Sequence, residues 1–455
     1  MTAMSPFVCP RVRNLSQRYL IAVMLISLLP LNLLAADDWP QWLGPNRAST
    51  WNAEGTISEF DANGPVVKWR IPISGGYAGP AVVDQRLFVM DYVRHEGDPS
   101  PNPDQRNELK GTERIHCIDA QTGDTIWTHK YNCPYKISYP AGPRVTPTVD
   151  EDVVYSLGAE GDLICLNTRN GKLVWSRNFA KDYRAETPLW GYCGHPLVDG
   201  DKLICIVCGE GSLVVAFDKQ TGKELWRSLD AKTQGYSAPV IYNVGRTRQL
   251  MIWHPEGLVS LDPETGKVYW SEPLTPNYGM SIAVPRRSGD LIFVGGIVNQ
   301  SMMLRLHKTR PKATLLWEGA KDVGIDPVHS TPYVEDGFMY GVTREGKLTA
   351  VRMDTGQVLW SNFDLMPDNR RAQSGTVFLV KNRDKFFLCN DSGELIIARM
   401  TPHAYREMGR IKLLEPTGDA FGRKVVWSHP AFANGCIFAR NDKELICVSL
   451  SNADN

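Results

Sequence analysis

The sequence lacks an excess of charge of either sign, because Lys plus Arg and Asp plus Glu each total 50 in 455 residues. Proteins that bind nucleic acid usually carry a one-sided basic field, so the balance argues against nucleic acid as a partner. The chain also lacks a Gly-x-Ser-x-Gly elbow and a Gly-x-x-x-x-Gly-Lys-Ser/Thr phosphate loop. These motifs position the nucleophile of many hydrolases and the phosphates of many nucleotides. Their absence disfavours both classes.

Long apolar runs are missing as well, except between Tyr19 and Leu34. Three arginines precede this run and two alanines, ending at Ala36, follow it, which is typical of a secretory signal. An uncleaved anchor is the alternative, but the run is short for a membrane span and contains Pro30. We therefore predict a signal peptide at residues 1–36. The mature chain is expected to be soluble and exported to the periplasm or cell envelope.

Adjacent cysteines are absent, and removal of the signal leaves an odd nine. Cys117, Cys165 and Cys447 occupy a position that is Ala or Ser in other copies of the repeat described below, as expected for small buried residues. Cys205 and Cys208 have the Cys-x-x-Cys spacing of redox or zinc sites. They fall within the predicted strand LICIVC, where residues three apart point to opposite faces, so structural roles are favoured. Disulfide formation among the nine stays open.

What the sequence does contain is a repeat in which a Gly-centred turn is followed, four residues later, by tryptophan. The clear copies are CIDAQTGDTIW at Trp127, CLNTRNGKLVW at Trp175, AFDKQTGKELW at Trp226, SLDPETGKVYW at Trp270 and AVRMDTGQVLW at Trp360. A recurrence every forty to fifty residues, roughly, with short alternating strands is typical of a β-propeller. The tryptophans predicted to dock one blade on the next are Trp69, Trp127, Trp175, Trp226, Trp270, Trp317 and Trp360.

The inner half of each repeat is a hairpin introduced by a small residue and usually proline, and eight such hairpins occur. The last blade is split between the two ends of the chain: KELICVSL supplies its third strand and VVKWRIPI its fourth. Sharing one blade closes the ring and pairs edges that would otherwise be exposed. We predict an all-β, eight-bladed propeller of four-stranded antiparallel blades at residues 65–451, preceded by an extension at 37–64.

The copy ending at Trp226 carries Ala216, Asp218, Thr221 and Gly222. It matches at every defined position the motif Ala-x-Asp-x-x-Thr-Gly-x-x-x-Trp of the quinoprotein-like family, and most of the mature chain resembles this family of PQQ-like repeat β-propellers. The opening DDWPQWLGPNR, residues 37–47, is similar to the start of exported quinoprotein-like propellers of planctomycete-type bacteria.

The resemblance implies one of two functions. Some members are dehydrogenases that bind pyrroloquinoline quinone (PQQ) with calcium and oxidise alcohols or sugars; others are non-catalytic exported scaffolds of the BamB-like kind. The adjacent cysteine pair of the dehydrogenases is missing here, and neither a coherent calcium set nor a catalytic base can be placed. No catalytic residue is carried over. We predict a scaffold without a cofactor that binds envelope proteins or a small polar ligand, with a PQQ-dependent dehydrogenase, or a degenerate relative, as the alternative.

A lipid anchor is not predicted, because Cys9 precedes the apolar run instead of following it.

Candidate site residues lie in the loops that lead from one blade into the next, since these loops gather at one mouth of a propeller channel and can vary on a rigid scaffold. The predicted rim of a pocket for a polar or anionic ligand, or for an extended peptide, is Tyr77, Arg144, Arg184, Trp190, Tyr236, His329, Arg371 and Trp427. Four of them stand three residues before an inner-strand proline, and equivalent positions in a ring point at the same space. The alternative is that these large side chains simply fill the mouth.

Two further features lie on this face. His195 and His429 directly precede prolines, but two histidines without a third ligand favour structural roles, so no metal site is predicted. Residues 91–113 form a polar insertion that is predicted to be a long surface loop on the same face, acting as a lid or recognition loop. Its Asp98, Asp104 and Glu108 match no defined calcium loop, so solvated charge is favoured.

Overall fold

Eight antiparallel sheets of four strands surround a central channel in the computed structural model, which describes residues 37–454. This confirms the predicted eight-bladed propeller. The predicted signal peptide lies outside the described residues. Among residues 37–454, no helix has the length and apolar character needed to cross a membrane.

The blades are numbered from the first complete one, and strands run from the channel outward. Blade 1 is Ala81–Val83, Arg86–Glu96, Asn107–Asp119 and Thr125–Asn132; blade 2 is Thr148–Asp150, Val153–Leu157, Asp162–Asn167 and Leu173–Asn178; blade 3 is Leu197–Asp199, Lys202–Gly209, Ser212–Asp218 and Glu224–Ser228; blade 4 is Val240–Val244, Thr247–His254, Gly257–Leu261 and Val268–Pro273. Blade 5 is Arg286–Ser288, Leu291–Gly295, Ser301–Leu306 and Ala313–Glu318; blade 6 is Tyr333–Glu335, Phe338–Val342, Leu348–Arg352 and Val358–Asn362; blade 7 is Val377–Asn382, Lys385–Asn390, Glu394–Met400 and Tyr405–Lys412; blade 8 is Ala431–Ala433, Cys436–Arg440, Glu444–Ser449 and Val67–Pro72.

Smaller elements decorate this ring. They are the short strands Thr50–Trp51 and Tyr135–Ile137, the hairpin Gly418–Ala420 and Arg423–Val425, the helix Phe179–Tyr183, and the 3₁₀ turns Asn277–Gly279 and Pro367–Asn369.

Blade 8 joins the two ends of the chain as predicted. Val67–Pro72 pairs antiparallel with Glu444–Ser449, with Arg70 opposite Ile446, and Glu444–Ser449 pairs in turn with Cys436–Arg440. The fourth strand of the closing blade therefore comes from the N-terminal side, and every blade has the same four-stranded form.

Tryptophans of the fourth strands make the joints between blades. The indole Nε1 of Trp175 in blade 2 donates to the Lys219 carbonyl of blade 3 at 3.0 Å, and Trp127 and Trp317 make the same contact with their next blades. Trp69 and Trp360 do so as well. Trp226 and Trp270 differ: the first indole has no acceptor, and the second donates to Gln249 of its own blade.

The turn glycine of the repeat lies under the tryptophan of the preceding blade. Gly222 has a φ of +68°, which favours glycine, and a Cβ there would stand 2.6 Å from the Trp175 ring. Gly171 faces Trp127 and Gly266 faces Trp226 at the same 2.6 Å. The positive φ of the turn and its close contact with the tryptophan of the preceding blade therefore both require glycine at the same position of the repeat.

The polar insertion is mostly strand, which corrects the predicted loop. Arg86–Glu96 and Asn107–Asp119 form one long hairpin in which only residues 97–106 connect the strands. Its polar residues are partly buried: Asp91 and Glu113 are both fully enclosed. Asp91 accepts from the Arg114 guanidinium and contacts the His116 ring, while Glu113 accepts from Tyr135 and from the backbone of Ala159. Internal pairing therefore lets a polar sequence extend a blade.

The segment 37–51 fills the channel as an up-and-down plug. It enters on the face of the turns between first and second strands, where the Asp38 carboxylate accepts from the backbone of Asp84. Trp39 then pairs antiparallel with Val82 of blade 1, and on the way back Thr50–Trp51 runs parallel to the first strand of blade 7. Between these arms, Trp42 reaches the cavity at the opposite mouth of the channel.

The plug is held by contacts with many blades. The buried Arg47 guanidinium donates to the carbonyls of His195 and Pro196 before blade 3 and of Pro239 before blade 4. Arg286 of blade 5 donates to the carbonyls of Arg47 and Ala48. The inner strands are thus joined to one another through the extension.

Candidate functional site

A cavity of about 490 Å³ opens at the mouth of the channel, on the face where the loops between blades meet. Six of the eight predicted rim residues line it: Tyr77, Arg144, Trp190, Tyr236, His329 and Trp427. The four that precede a proline by three residues are all among them, since the repeat places equivalent positions at one mouth. Their role in binding stays a prediction.

The other two predicted rim residues do not line the cavity. Arg184 follows the helix Phe179–Tyr183 in a left-handed conformation and is exposed. Arg371 is exposed and pairs with Glu345 at 2.6 Å. Both were assigned from composition alone, whereas the six residues in the cavity include all those supported by the repeat register.

Trp42 of the plug forms the floor of the cavity. Its indole stacks on the His195 ring at 4.5 Å and 12°, and meets His429 edge-on at 5.4 Å. Trp42 and His195 are 6% and 7% exposed, yet the Trp42 Nε1 and the His195 Nε2 have no hydrogen-bond partner among the described residues. Two buried polar atoms at the closed end of the cavity therefore lack the hydrogen bonds that buried groups normally make.

Aromatic side chains also form the walls. Trp190 packs against Tyr236 at 5.2 Å, and Trp427 packs between His329 at 4.3 Å and Tyr139 at 5.9 Å. The resulting lining is mainly apolar and presents flat faces, which suits a ligand with a planar or apolar group.

The tip of the long blade 1 hairpin adds one side of the mouth. Pro103 and Asp104 line the cavity, and the Pro103 carbonyl accepts from Trp190 Nε1 at 3.1 Å. Arg106 secures the tip by donating to the backbone carbonyls of Lys136, Thr187 and Pro188. The insertion thus reaches the predicted pocket and is tied to neighbouring loops.

Charge in the cavity is weakly positive. Arg144 lies 5.1 Å from the Tyr77 ring and is held by the carbonyls of Gly142, Ser138 and Tyr139, with no carboxylate partner. Arg344 also lines the cavity, and no described residue forms a hydrogen bond or ion pair with its side chain. Asp104 supplies the one carboxylate among the lining residues.

The three histidines of the cavity are neutral near pH 7. Burial, with a contribution from Arg423, lowers the pKa of His329 to about 4. Burial and the neighbouring His329 lower the pKa of His429 to about 3, and burial with the Arg47 charge holds the pKa of His195 well below its usual value. Neutral imidazoles can donate or accept single hydrogen bonds without adding charge.

No part of residues 37–454 brings three His, Cys, Asp or Glu side chains together in a metal-binding group. The nine cysteines of the same region are free thiols. Cys208 has a φ of +65° in a bulged strand, and its thiol faces the Ala231 carbonyl, whereas Cys205 is fully buried.

A family model described as outer membrane protein assembly factor BamB matches residues 111–362 and 311–455, which together make up most of the chain. The chain belongs to the PQQ_2 family. The matched residues run from the third strand of blade 1 to the end of the chain and include most of the loops that line the cavity.

Individual relatives of this PQQ_2 propeller are distant. BamB of Alteromonas naphthalenivorans is 24% identical over 267 residues, covering 52% of this chain and 59% of that protein. The matches span 30% to 63% of the length of three curated BamB relatives. The crystal structure of BamB from Moraxella catarrhalis covers 79% of this chain and 96% of its own, with a TM-score of 0.50 and 16% identity. Quinohemoprotein alcohol dehydrogenase from Comamonas testosteroni covers 91% of this chain and 81% of its own, with a TM-score of 0.57 and 14% identity. At these identities the structural likenesses show the fold alone.

Several cavity residues were not singled out from the sequence. Trp42, Phe378, Phe421 and Arg344 belong to no register that the repeat defines. The signal for Trp42 was the closely spaced pair of tryptophans in WPQW, which stood out in an otherwise polar extension.

Proposed function

We propose that this chain is an exported, non-catalytic propeller that serves as a binding scaffold in the cell envelope. The observation that carries the proposal is the cavity at the channel mouth: aromatic walls, a floor closed by Trp42, and unpartnered polar atoms on Trp42 and His195. Such a site has the features of a binding pocket.

The family assignment supports the same function. Three of the curated relatives are named as outer membrane protein assembly factors, while two others, a quinoprotein ethanol dehydrogenase and a quinone alcohol dehydrogenase subunit, match over 30% and 26% of this chain. A rigid ring with variable loops at one mouth is suited to holding a partner.

The lining residues do not fit PQQ with calcium. Calcium takes six to eight oxygen ligands, with carboxylates prominent among them, whereas the cavity offers Asp104 as its one carboxylate, on an exposed hairpin tip. Near the floor, the buried cation Arg47 donates to the His195 carbonyl and lowers the pKa of the His195 ring, so a divalent ion there would be repelled. We therefore assign the cavity no quinone chemistry.

A titration tests the absence of quinone binding. The mature chain, starting at residue 37, is mixed with PQQ and calcium chloride in a calorimeter, and dye reduction is followed with ethanol or glucose. We expect neither stoichiometric binding at high micromolar PQQ nor substrate-dependent turnover. Tight binding with turnover would show that the chain is a dehydrogenase and would overturn the proposal.

A cross-linking experiment tests the scaffold role directly. A photoreactive residue is placed at Tyr278, which is 79% exposed at the mouth, and as a control at Leu173, which is 52% exposed on the outer strand of blade 2. In cells, we expect cross-links to envelope proteins from the mouth position in excess over the outer position. Equal cross-linking from both positions would show that the mouth is not the binding site.

A further inference from the structure

Three aromatic residues at the mouth have a left-handed backbone. The φ values are 50° at Tyr139, 59° at Tyr278 and 49° at Phe421, and no other Trp, Tyr or Phe among residues 37–454 has a positive φ. Bulky side chains seldom adopt this conformation, and strained backbone concentrates at functional sites. All three residues line the one cavity.

The three residues approach the cavity from different sides. Tyr139 lies in the loop before blade 2, Tyr278 in the turn before blade 5, and Phe421 in the small hairpin before blade 8. The Tyr278 side chain is 79% exposed and Phe421 is 43% exposed. Their rings therefore gain little from packing inside the chain, although the backbone is strained in presenting them. Contact with a bound partner accounts for both observations.

The apolar character of the lining favours one class of ligand over another. A sugar would bring many hydroxyl groups, each of which needs a hydrogen-bond partner once removed from water. At the closed end, the Trp42 Nε1 and the His195 Nε2 are themselves buried and offer little to such hydroxyl groups. A large aromatic side chain needs mainly flat apolar surfaces, which the aromatic lining provides.

The positive charge of the rim arginines favours particular residues next to the bound aromatic side chain. Arg344 has no partner among the described residues, Arg144 has no carboxylate partner, and the histidines carry no charge near neutral pH. An acidic group next to the aromatic one would meet an unpaired guanidinium, whereas a basic group would be repelled.

We propose that the mouth cavity binds an extended polypeptide segment of a partner, with a large aromatic side chain inserted between Tyr139, Tyr278 and Phe421 and a neighbouring acidic residue paired with Arg344. This inference rests on the proposed scaffold function and names the chemistry of the partner. The open mouth lets the chain enter and leave the cavity on either side of the inserted residue.

Fluorescence polarisation with labelled synthetic peptides tests the inference on the mature chain. The probe is fluorescein-Gly-Glu-Trp-Glu-Gly-amide, compared with the same peptide carrying Ala for Trp, Lys for both Glu, or Gln for both Glu. We expect at least tenfold weaker binding with Ala and about three- to tenfold weaker binding with Lys. Equal affinity for the Trp and Ala peptides overturns the inference, and so does binding of free tryptophan as tight as that of the peptide.

Variants of exposed residues separate binding from folding. Tyr278→Gly removes the ring and the left-handed strain together, so we expect peptide affinity to fall about tenfold while Tm rises by about 1 to 2 °C. A purely structural role of the ring predicts a lower Tm and unchanged affinity. Leu173→Ala, which removes a similarly exposed side chain from the outer rim, should leave peptide affinity unchanged.

Arg344→Gln tests the charged contact. We expect it to weaken the Glu-flanked peptide about threefold to tenfold and to leave the Gln-flanked peptide unaffected. A uniform loss with both peptides would contradict the pairing. If no peptide binds while cross-links at Tyr278 persist, the inference fails and the proposed scaffold function stands; if both fail, the scaffold function falls as well.

Discussion

At the scale of single residues, the paired tryptophan and glycine explain why the motif repeats. The tryptophan of one blade covers the turn glycine of the next, as Trp175 covers Gly222, and its indole reaches a carbonyl of that blade. The docking motif therefore describes a contact between consecutive blades. Each copy of the motif supplies the tryptophan of one contact and the glycine of another. This is why its match predicts the ring well and says little about a ligand.

The joint can be tested with two glycine substitutions. Gly222 and Gly200 have similar φ values of 68° and 61°, but a Cβ at Gly200 meets nothing within 4 Å. Both Gly→Ala changes strain the backbone, and only Gly222→Ala also collides with Trp175. We expect Gly222→Ala to lower the free energy of unfolding by about 2 kcal/mol more than Gly200→Ala, as measured by urea denaturation.

A double variant completes this test. In the background of Trp175→Ala, which itself should cost about 3 to 5 kcal/mol, the two alanine substitutions should become equivalent. If Gly222→Ala still destabilised the protein more than Gly200→Ala in the absence of the Trp175 indole, the added Cβ would be colliding with a group other than this ring.

The histidines at the cavity predict acid sensitivity. Burial lowers the pKa of His329 to about 4 and of His429 to about 3, while a histidine in the unfolded chain titrates near 6.5. Below pH 6.5 the unfolded state therefore binds more protons, and stability falls as the pH decreases towards 4. We expect a loss on the order of 2 kcal/mol per histidine between pH 6.5 and 4.5.

Denaturation curves at several pH values check this expectation. His429→Gln should flatten the dependence of the urea midpoint on pH, whereas His403→Gln, at an exposed position, should leave it unchanged. An identical slope in the wild type and both variants would show that the His429 ring does not control acid stability.

At the scale of elements, the closing blade is the least local part of the fold. Glu444–Ser449 lies between Cys436–Arg440 and Val67–Pro72, so its loss would leave the N-terminal strand without a partner. Deletion of residues 443–455 should lower Tm by more than 10 °C or prevent folding, as followed by circular dichroism. Deletion of residues 452–455 keeps the strand and should have a small effect. A full-length Tm in the longer deletion would contradict ring closure by the two ends.

Elements built on the repeat could be predicted, and those outside it could not. Four of the rim residues followed from their distance to a proline in equivalent blades, and all four meet at the cavity. The insertion was misassigned because strands usually alternate apolar and polar residues, whereas here buried polar partners such as Asp91 and Arg114 satisfy one another. Pairing of this kind depends on distant register, which the local sequence does not reveal.

At the scale of the whole molecule, the plug joins blades that are not neighbours in the ring, since Trp39 pairs with blade 1 and Thr50–Trp51 pairs with blade 7. Arg47 is 4% exposed and donates to three carbonyls from two blade entries. Arg47→Ala would leave these acceptors buried without donors, so we expect the free energy of unfolding to fall by about 3 kcal/mol or more. Arg169→Ala, which removes an exposed pair with Asp152, should cost less than about 1 kcal/mol. If the free energy of unfolding fell by similar amounts in the two variants, the hydrogen bonds of Arg47 would not contribute specially to stability.

The plug escaped prediction because it has neither periodicity nor a docking motif. Its single turn and two short arms are stabilised by the inner strands of a ring that must already exist. The composition of residues 37–51 indicates only an extension. The position of this segment in the channel depends on contacts with the closed ring of blades, which the local sequence does not reveal.

The position of the plug also sets an order of events during synthesis. Residues 37–51 leave the ribosome before any blade, yet their binding surfaces belong to strands that extend from Val82 to Lys381, and Ile57 bonds to the carbonyl of Leu450. The earliest part of the folded chain is therefore among the last to reach its final place. The ring cannot close until Glu444–Ser449, its last strand to be made, is available to pair with Val67–Pro72.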